Sequence, residues 1–209
     1  MANEVFDLVV KGKAKLVAAA VQTALDGGAD PNELLNTMIS AMDEVGVKFK
    51  NNEIFVPEML VSARAMKKGV EVLKPHLAAG AAGAAGKLII GTVAGDLHDI
   101  GKNLVAMMLE SAGFEVIDLG VDVPKEKFVE TWEANPDTKL ICCSALLTTT
   151  MPAMKETVEL LNANPARQNV KIMVGGAPIT QAFCDEIGAD AYTEDAASCA
   201  QRAREIVGA

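Results

Sequence analysis

The chain has 209 residues and a formal net charge of −9, and 50% of its residues are hydrophobic. This length and composition allow one or two domains with a sizeable core. The acidic balance argues against nucleic acid and an anionic membrane surface as partners, because both require a basic patch. No apolar run approaches the ~20 residues of a membrane-spanning helix. The N-terminus shows no secretion signal, so we expect a cytoplasmic protein.

Apolar side chains in residues 1–77 recur every three or four positions, which predicts helices throughout this part of the chain. Four segments follow the spacing, and Pro57 opens the fourth. Four helices with short connections indicate an all-α helical bundle. Residues 78–86 are only alanine and glycine, which is typical of a linker. We therefore assign residues 1–86 to a helical domain that ends in this linker.

Residues 87–209 alternate short apolar runs with amphipathic segments, which predicts strands alternating with helices. The expected strands are 88–94, 115–118, 139–144, 171–174 and 190–192. The expected helices are 101–112, 124–134, 150–163, 179–186 and 195–207. This alternation favours a parallel sheet covered by helices on both faces. The second domain is therefore expected to be a flavodoxin-like, Rossmann-like α/β fold with strand order 2-1-3-4-5, which places ligands beside strands 1 and 3.

The loop after the first predicted strand carries the strongest functional signal, Asp96-Leu97-His98-Asp99-Ile100-Gly101. It lies at the carboxyl end of the strand, where open α/β sheets bind ligands. Asp96 can accept the N–H of one imidazole nitrogen, an arrangement that orients a histidine for metal binding through the other nitrogen. We therefore predict that His98 is a metal ligand and that Asp96 is its partner. The other histidine, His76, is expected to be a capping or solvated residue.

Two further motifs follow at predicted strand ends, Ser144-Ala145-Leu146 and Gly175-Gly176. Asp-x-His-x-x-Gly, Ser-x-Leu and Gly-Gly, in this order and with these separations, resemble the cobalamin-binding domain of methyltransferases and mutases. The resemblance implies that His98 binds cobalt in place of the cofactor's own base, and that the displaced nucleotide tail runs between the strands. The cofactor-binding residues expected on this basis are Asp96, His98, Asp99, Ile100, Gly101, Ser144, Leu146, Thr148, Gly175 and Gly176.

A hydroxyl group extends this comparison. In the methionine-synthase branch of the family, a hydroxyl residue six positions beyond the serine joins the Asp–His pair in a hydrogen-bonded triad. Thr150 occupies that position here, so the resemblance implies His98, Asp96 and Thr150 as the residues that tune the cobalt. The alternative is that Thr150 only caps the helix that opens near Pro152. The sequence favours neither interpretation.

The helical half supports the same family. Residues 53–66 resemble the cap helix that covers the methyl face of the cofactor in methyl-carrying corrinoid domains. On this basis Phe55 and Leu60 are expected to contact the cofactor. Met59 fits the bundle core better, whereas Phe55 precedes Pro57 and lies outside the predicted helix.

The resemblance covers nearly all of the chain and is greatest to small corrinoid proteins of anaerobic methyltransferase systems, which are similar to the cap and cobalamin-binding domains of methionine synthase. It implies a protein that carries a methyl group on cobalt between a substrate-specific methyltransferase and a second methyltransferase serving tetrahydrofolate or coenzyme M. A reductive activating protein is a further expected partner.

Three alternatives use similar motifs or a similar fold. A cobalamin-dependent sensor would need a basic DNA-binding segment, which residues 1–77 do not provide. A small subunit of an adenosylcobalamin mutase would need its substrate barrel on a separate chain. A flavin- or phosphate-binding domain would need an anion-binding loop after the first strand, whereas this chain has carboxylates there.

Overall fold

A computed structural model describes residues 2–77 and 85–208. The chain divides into two compact units, a helical unit in the N-terminal part and an α/β unit that begins at Ala85. Of the residues predicted as a linker, 78–84 lie outside the described ranges. Gly86, the last residue of that prediction, is already the first residue of a strand.

The helical unit contains four α-helices in its described part. They are α1 (Ala2–Val10), α2 (Ala14–Asp26), α3 (Pro31–Lys50) and α4 (Val56–Leu73). α3 begins where Asp30 Oδ1 accepts the backbone N–H of Asn32 and Glu33, at 2.7 and 3.2 Å. α4 starts one residue before the predicted Pro57. His76 is exposed in a short 3₁₀ turn after α4.

The core of the helical unit consists of the side chains that recur at helical spacing, as the sequence predicts. They are fully or almost fully buried and include valines of α1 and α2 and methionines of α3 and α4: Val5, Val9, Val17, Val21, Met38, Met42, Met59 and Met66. Gly69 lets α4 approach its neighbours, because a Cβ there would lie 2.4 Å from the sulfur of Met38. The all-α character predicted for this part of the chain is confirmed.

The α/β unit has five parallel strands in the order β2-β1-β3-β4-β5, which confirms the predicted topology. The strands are β1 (Gly86–Thr92), β2 (Phe114–Asp118), β3 (Thr138–Ser144), β4 (Lys171–Gly175) and β5 (Ala191–Tyr192). The helices are α5 (Ile100–Ser111), α6 (Lys125–Ala134), α7 (Met151–Asn162), α8 (Gln181–Ile187) and α9 (Ala196–Val207).

The strand register aligns the carboxyl ends of the central strands. Thr92 at the end of β1 pairs with Ser144 at the end of β3, and Ser144 pairs with Gly175 at the end of β4. Parallel strands end at the same edge of a sheet, so the loops that follow these three residues emerge side by side. The three motifs of the sequence analysis therefore share one edge.

One face of the sheet is packed by an apolar core that includes Phe128 and Trp132 of α6 and Met154 of α7. Gly91 in β1 makes room for this packing, because a Cβ there would lie 2.8 Å from the ring of Phe128. In residues 2–77 and 85–208, no helix has both the length and the apolar character needed to cross a membrane.

Candidate functional site

The loop between β1 and α5 folds back over the end of its own strand. The backbone N–H of Val93 donates to Ser144 O at 3.0 Å, and the buried Thr92 hydroxyl donates to His98 O at 2.9 Å. Gly95 has φ +80°, a conformation that favours glycine. Gly101 needs no such conformation, because it lies inside α5, and a Cβ there would meet open space. The tight turn of the loop therefore depends on Gly95.

Asp96 and His98 form a directly bonded pair in this loop. Asp96 is completely buried, whereas about half of the His98 side chain is exposed. His98 Nδ1 lies 2.6 Å from Asp96 Oδ1, and the His98 backbone N–H donates to the same oxygen at 3.1 Å. Since an ionised carboxylate only accepts, the proton belongs on Nδ1. Nε2 is then the ring nitrogen that can bind a metal.

The other carboxylate oxygen of Asp96 binds the loop after β3. Oδ2 accepts the backbone N–H of Leu146 at 2.7 Å and the Thr150 hydroxyl at 2.8 Å, with the Leu147 N–H further away at 3.4 Å. The Thr150 hydroxyl also lies 2.9 Å from Leu147 O, so the two acceptors share its single proton. Asp96 thus connects the loops that follow two neighbouring strands.

The two interpretations of Thr150 left open by the sequence are distinguished by these contacts. Thr150 directly precedes α7, but its side chain makes no capping hydrogen bond to that helix. The hydroxyl instead faces the Asp96 carboxylate, and Thr150 is buried. The hydrogen-bonded chain from Thr150 through Asp96 to His98 is therefore present in the fold.

The surroundings of Asp96 determine its charge. Burial by itself raises the pKa of this carboxyl. Hydrogen bonds from the Leu146 N–H, the His98 ring and backbone, and the Thr150 hydroxyl together lower the pKa by more than burial raises it. The net result is a pKa well below the ordinary value of 3.8. Asp96 is therefore ionised at neutral pH, and its negative charge makes the imidazole of His98 a more electron-rich donor.

The His98 imidazole, hydrogen-bonded to Asp96, suits a metal whose other ligands belong to a cofactor and not to the protein. Within the described part of the chain, no group of three or more His, Cys, Asp or Glu side chains is arranged to hold a metal ion. A single imidazole with a buried carboxylate behind it suits a metal whose remaining ligands come from a macrocycle. The residues present therefore fit a corrinoid, to whose cobalt His98 would be the protein ligand.

The two glycines at the end of β4 have different roles. Gly176 has φ +132°, and a Cβ there would lie 1.8 Å from Ala145 O, so no larger residue can occupy this position. Gly175 is free of such contacts, since a Cβ would meet only Thr193 O at 4.0 Å. Gly176 lets the loops after β3 and β4 pack together, while Gly175 is not required by any close contact.

Exposed apolar side chains emerge from both loops that hold the Asp96–His98 pair. They are Leu97 and Ile100, 72% and 84% exposed, and Leu146 and Leu147, 42% and 40% exposed. Large exposed apolar groups of this kind mark a binding surface. Ile100 and Leu146 are among the residues predicted from the sequence, whereas Leu97 and Leu147 were not predicted, although each adjoins a predicted site residue.

The remaining predicted residues of the α/β unit lie on the same two loops. Thr148 is exposed in the 3₁₀ turn before α7, and Ser144 is partly buried at the end of β3. Asp99 precedes α5 and accepts the Asn103 side-chain N–H at 3.1 Å. Asp99 therefore stabilises the start of α5 as well as lying beside His98.

Phe55 and Leu60 belong to the helical unit. Phe55 is the residue before α4, its side chain is 64% exposed, and its backbone N–H donates to Glu58 Oε2 at 2.9 Å. Leu60 is partly buried, and Met59 is fully buried in the core as expected. The proposed contacts of Phe55 and Leu60 with a cofactor stay predictions from the resemblance.

Two interactions around the site were not anticipated from the sequence. Asp122, in the loop after β2, accepts the Gly95 backbone N–H at 2.7 Å. The side chain of Lys102 is 1% exposed and lies 2.5 Å from Asp118 Oδ2 at the end of β2. The Lys102–Asp118 pair had a local signal in the sequence, a lysine next to Gly101 in the first turn of a helix. Nothing near Asp122 in the sequence indicates its bond to Gly95.

Known proteins resemble this chain over almost its full length. One B12 binding domain family matches residues 86–200, and a second B12 binding domain family matches residues 1–74. Dimethylamine corrinoid protein 1 of Methanosarcina acetivorans is 46% identical over 208 residues, which cover 98% of this chain and 96% of that protein. Trimethylamine corrinoid protein 1 of the same organism is 42% identical over 205 residues, covering 96% and 94%.

Solved structures agree with these sequence relatives. A cobalamin-binding protein from Desulfitobacterium hafniense has a TM-score of 0.84 at 28% identity, covering 99% of this chain and 98% of that one. A chain of the methanol:cobalamin methyltransferase complex from Methanosarcina barkeri has a TM-score of 0.83 at 30% identity, covering 98% and 78%.

Proposed function

Since this chain belongs to the B12-binding corrinoid protein family, we propose that it carries a methyl group on the cobalt of a corrinoid between two methyltransferases. The observation that carries this proposal is the hydrogen-bonded chain from Thr150 through Asp96 to His98 at the carboxyl edge of the sheet. It leaves one half-exposed imidazole, oriented and electron-rich, which would bind the cobalt.

Each residue of the site has a definite task in such a carrier. When bound, the cobalt supplies the centre that accepts a methyl group from one substrate and gives it to another. His98 binds through Nε2, and Asp96 holds the proton on Nδ1 and keeps the ring in one orientation. Thr150 and the Leu146 N–H hold the carboxylate in place. These groups set the electron density at the metal.

The two loops also provide the surface for the rest of the cofactor. The exposed side chains of Leu97, Ile100, Leu146 and Leu147 offer apolar area that a corrin ring can cover, which removes that area from water. We propose that the displaced nucleotide tail runs past Gly175, where a Cβ would make no close contact. Phe55 and Leu60 are the proposed contacts of the helical unit with the methyl face.

The methyl donor is proposed from the relatives. Proteins named for dimethylamine and trimethylamine are 42–46% identical to this chain, whereas the chain from a methanol system is 30% identical. We therefore propose that a methylamine-specific methyltransferase loads the carrier, and that a second methyltransferase, serving coenzyme M or tetrahydrofolate, unloads it. A reductive activating protein completes the set of proposed partners.

Cobalt ligation is tested with the reconstituted protein. The chain is loaded with cobalamin and reduced to the Co(II) form, and its paramagnetic resonance spectrum is compared with and without nitrogen-15-labelled histidine. We expect the superhyperfine pattern to change with the label and to disappear in His98→Gln but not in His76→Gln, which alters the exposed histidine. A superhyperfine pattern that is the same with and without the labelled histidine would contradict the assignment of His98 as the cobalt ligand.

Methyl transfer is tested with purified methyltransferases specific for mono-, di- and trimethylamine and for methanol. Each is mixed with the Co(I) form of the carrier and its labelled substrate, and label bound to cobalt is counted. We expect loading with a methylamine enzyme and not with the methanol enzyme. If no enzyme loads the carrier and the protein purifies with an adenosyl ligand, the mutase-subunit alternative replaces this proposal.

A further inference from the structure

The loop of residues 119–124, between β2 and α6, forms hydrogen bonds to the His98 loop on the side opposite β3. The Gly95 backbone N–H donates to Asp122 Oδ1 at 2.7 Å, and the Asp122 backbone N–H donates to Asp96 O at 2.9 Å. The Gly95 nitrogen and the Asp96 oxygen lie on either side of the peptide that joins these two residues. The two hydrogen bonds therefore hold the backbone on both sides of that peptide, whose own N–H donates to Val93 O at 3.2 Å.

The backbone of Asp122 is itself unusual. Its φ is +52°, and within residues 2–77 and 85–208 only Asn52 is another non-glycine residue with a positive φ. Aspartate tolerates this region better than most residues, but glycine adopts it more readily. A strained backbone conformation persists where the surrounding contacts stabilise it. At Asp122 these contacts are the two hydrogen bonds to Gly95 and Asp96.

We propose that Asp122 is a positioning residue for the cobalt ligand, acting through the backbone of Gly95 and Asp96. The Asp96 carboxylate must meet the His98 ring at 2.6 Å and the Leu146 N–H at 2.7 Å together. A shift of the Gly95 and Asp96 backbone would carry the carboxylate away from one of these partners. Asp122 restrains this shift through its bonds to Gly95 N–H and Asp96 O, beside the bond from the Asp96 N–H to Val93 O.

The neighbouring strand is anchored separately, which makes the effect of Asp122 local. Lys102 Nζ lies 2.5 Å from Asp118 Oδ2, and the Gly120 backbone N–H donates to Asp118 Oδ1 at 2.8 Å. Val123 also pairs with Val93 through a parallel bridge. Removing the Asp122 side chain therefore leaves the loop attached while freeing the Gly95 N–H.

Asp122→Gly and Asp122→Asn form a matched pair of variants. Both remove the negative charge, but asparagine keeps an oxygen that accepts from Gly95, while glycine removes the acceptor and relieves the positive φ. In the cofactor-free protein we expect amide exchange at Gly95 to become about tenfold faster in Asp122→Gly. Exchange at Gly95 in Asp122→Asn, and at Gly120 in both variants, should stay close to that of the unaltered protein.

The second measurement, on the cobalamin-loaded Co(II) protein, rests on the proposed function. We expect the fraction of cobalt that shows histidine superhyperfine coupling to fall by at least about half in Asp122→Gly and to be restored in Asp122→Asn. Unchanged Gly95 exchange, or unchanged ligation despite faster exchange, would overturn the proposal. Faster exchange at Gly120 would do the same, because it would mean that the whole loop had detached.

The two proposals fail in distinguishable ways. If the unaltered protein binds no cobalamin, the proposed function is wrong, and the role of Asp122 toward a cobalt ligand is wrong with it. Exchange at Gly95 in the cofactor-free protein still decides whether Asp122 holds the loop. If cobalamin binds through His98 in all variants alike, the proposed function stands and the positioning role of Asp122 is refuted.

Discussion

Replacing Asp96 with asparagine should destabilise the α/β unit even without any cofactor. One carboxylate oxygen becomes an NH₂ group, which faces either the His98 donors or the Leu146 N–H and the Thr150 hydroxyl. In both orientations a backbone N–H loses the acceptor that the fully buried Asp96 side chain provides. An unsatisfied buried donor costs about 1–3 kcal/mol, and the lost charge-assisted bonds add to this. We expect a loss of about 3 kcal/mol for Asp96→Asn at pH 7.

The pH dependence of this loss follows from the pKa of Asp96. Its folded-state pKa is lowered below the ordinary 3.8, so the stabilisation is fully present above that pH. As the pH falls below 3.8, the unfolded chain takes up the proton first and the stabilisation decreases. Because the folded-state pKa is well below the ordinary value, the difference between the original protein and Asp96→Asn should shrink by about 1 kcal/mol between pH 5 and pH 3.

The fluorescence of Trp132 provides the assay. It is the single tryptophan of the chain, and it is buried in the core of the α/β unit, so its signal reports unfolding of that unit in urea. Asp185→Asn is the control, because it removes an exposed carboxylate of α8 with the same change in net charge. Equal unfolding free energies for Asp96→Asn and Asp185→Asn at pH 7 would refute the reasoning.

Three further sets of variants test the site, and the same fluorescence assay measures their stability. Thr150→Val should cost about 1 kcal/mol, whereas Thr150→Ser, which keeps the hydroxyl bonded to Asp96, should cost less; equal losses would contradict the hydrogen bond. Gly176→Ala should prevent stable folding because of the contact with Ala145 O, while Gly175→Ala should fold normally and lower only the affinity for cobalamin. Asp118→Asn should cost at least about 2 kcal/mol, because it leaves the Lys102 ammonium buried without its charge partner; a loss as small as that of Glu186→Gln, which breaks an exposed pair with Lys155, would refute this.

The order of the strands was predictable because each strand is a short apolar run bounded by polar loops. Leu88, Ile89 and Ile90 are buried on both faces of a parallel sheet, so they form a continuous apolar segment rather than an alternating one. The alternation of such runs with helices leaves few topologies, and the 2-1-3-4-5 order is among the commonest. The element ends were less predictable, since Gly86 and Val56 join their elements through hydrogen bonds that composition does not reveal.

The role of Thr150 shows where local sequence reasoning stops. A hydroxyl residue before a helix suits a cap, and nothing within a few residues indicates otherwise. Its partner Asp96 lies 54 positions away in sequence and meets it only because β1 and β3 pair in the sheet. The glycine pair is similar, because the sequence cannot distinguish a glycine required by a close contact, Gly176, from one that no close contact requires, Gly175.

The sequence by itself determined the two kinds of domain, the helical spacing of the first and the position of His98 and Asp96 at a strand end. These depend on local periodicity and on residues two positions apart. Only the tertiary structure decided that Asp96 is buried and ionised, that Thr150 bonds to it, and that Asp122 accepts the Gly95 N–H. The physical reason is that burial and hydrogen bonding between separate loops arise from strand pairing, which brings distant segments together and which no single segment encodes.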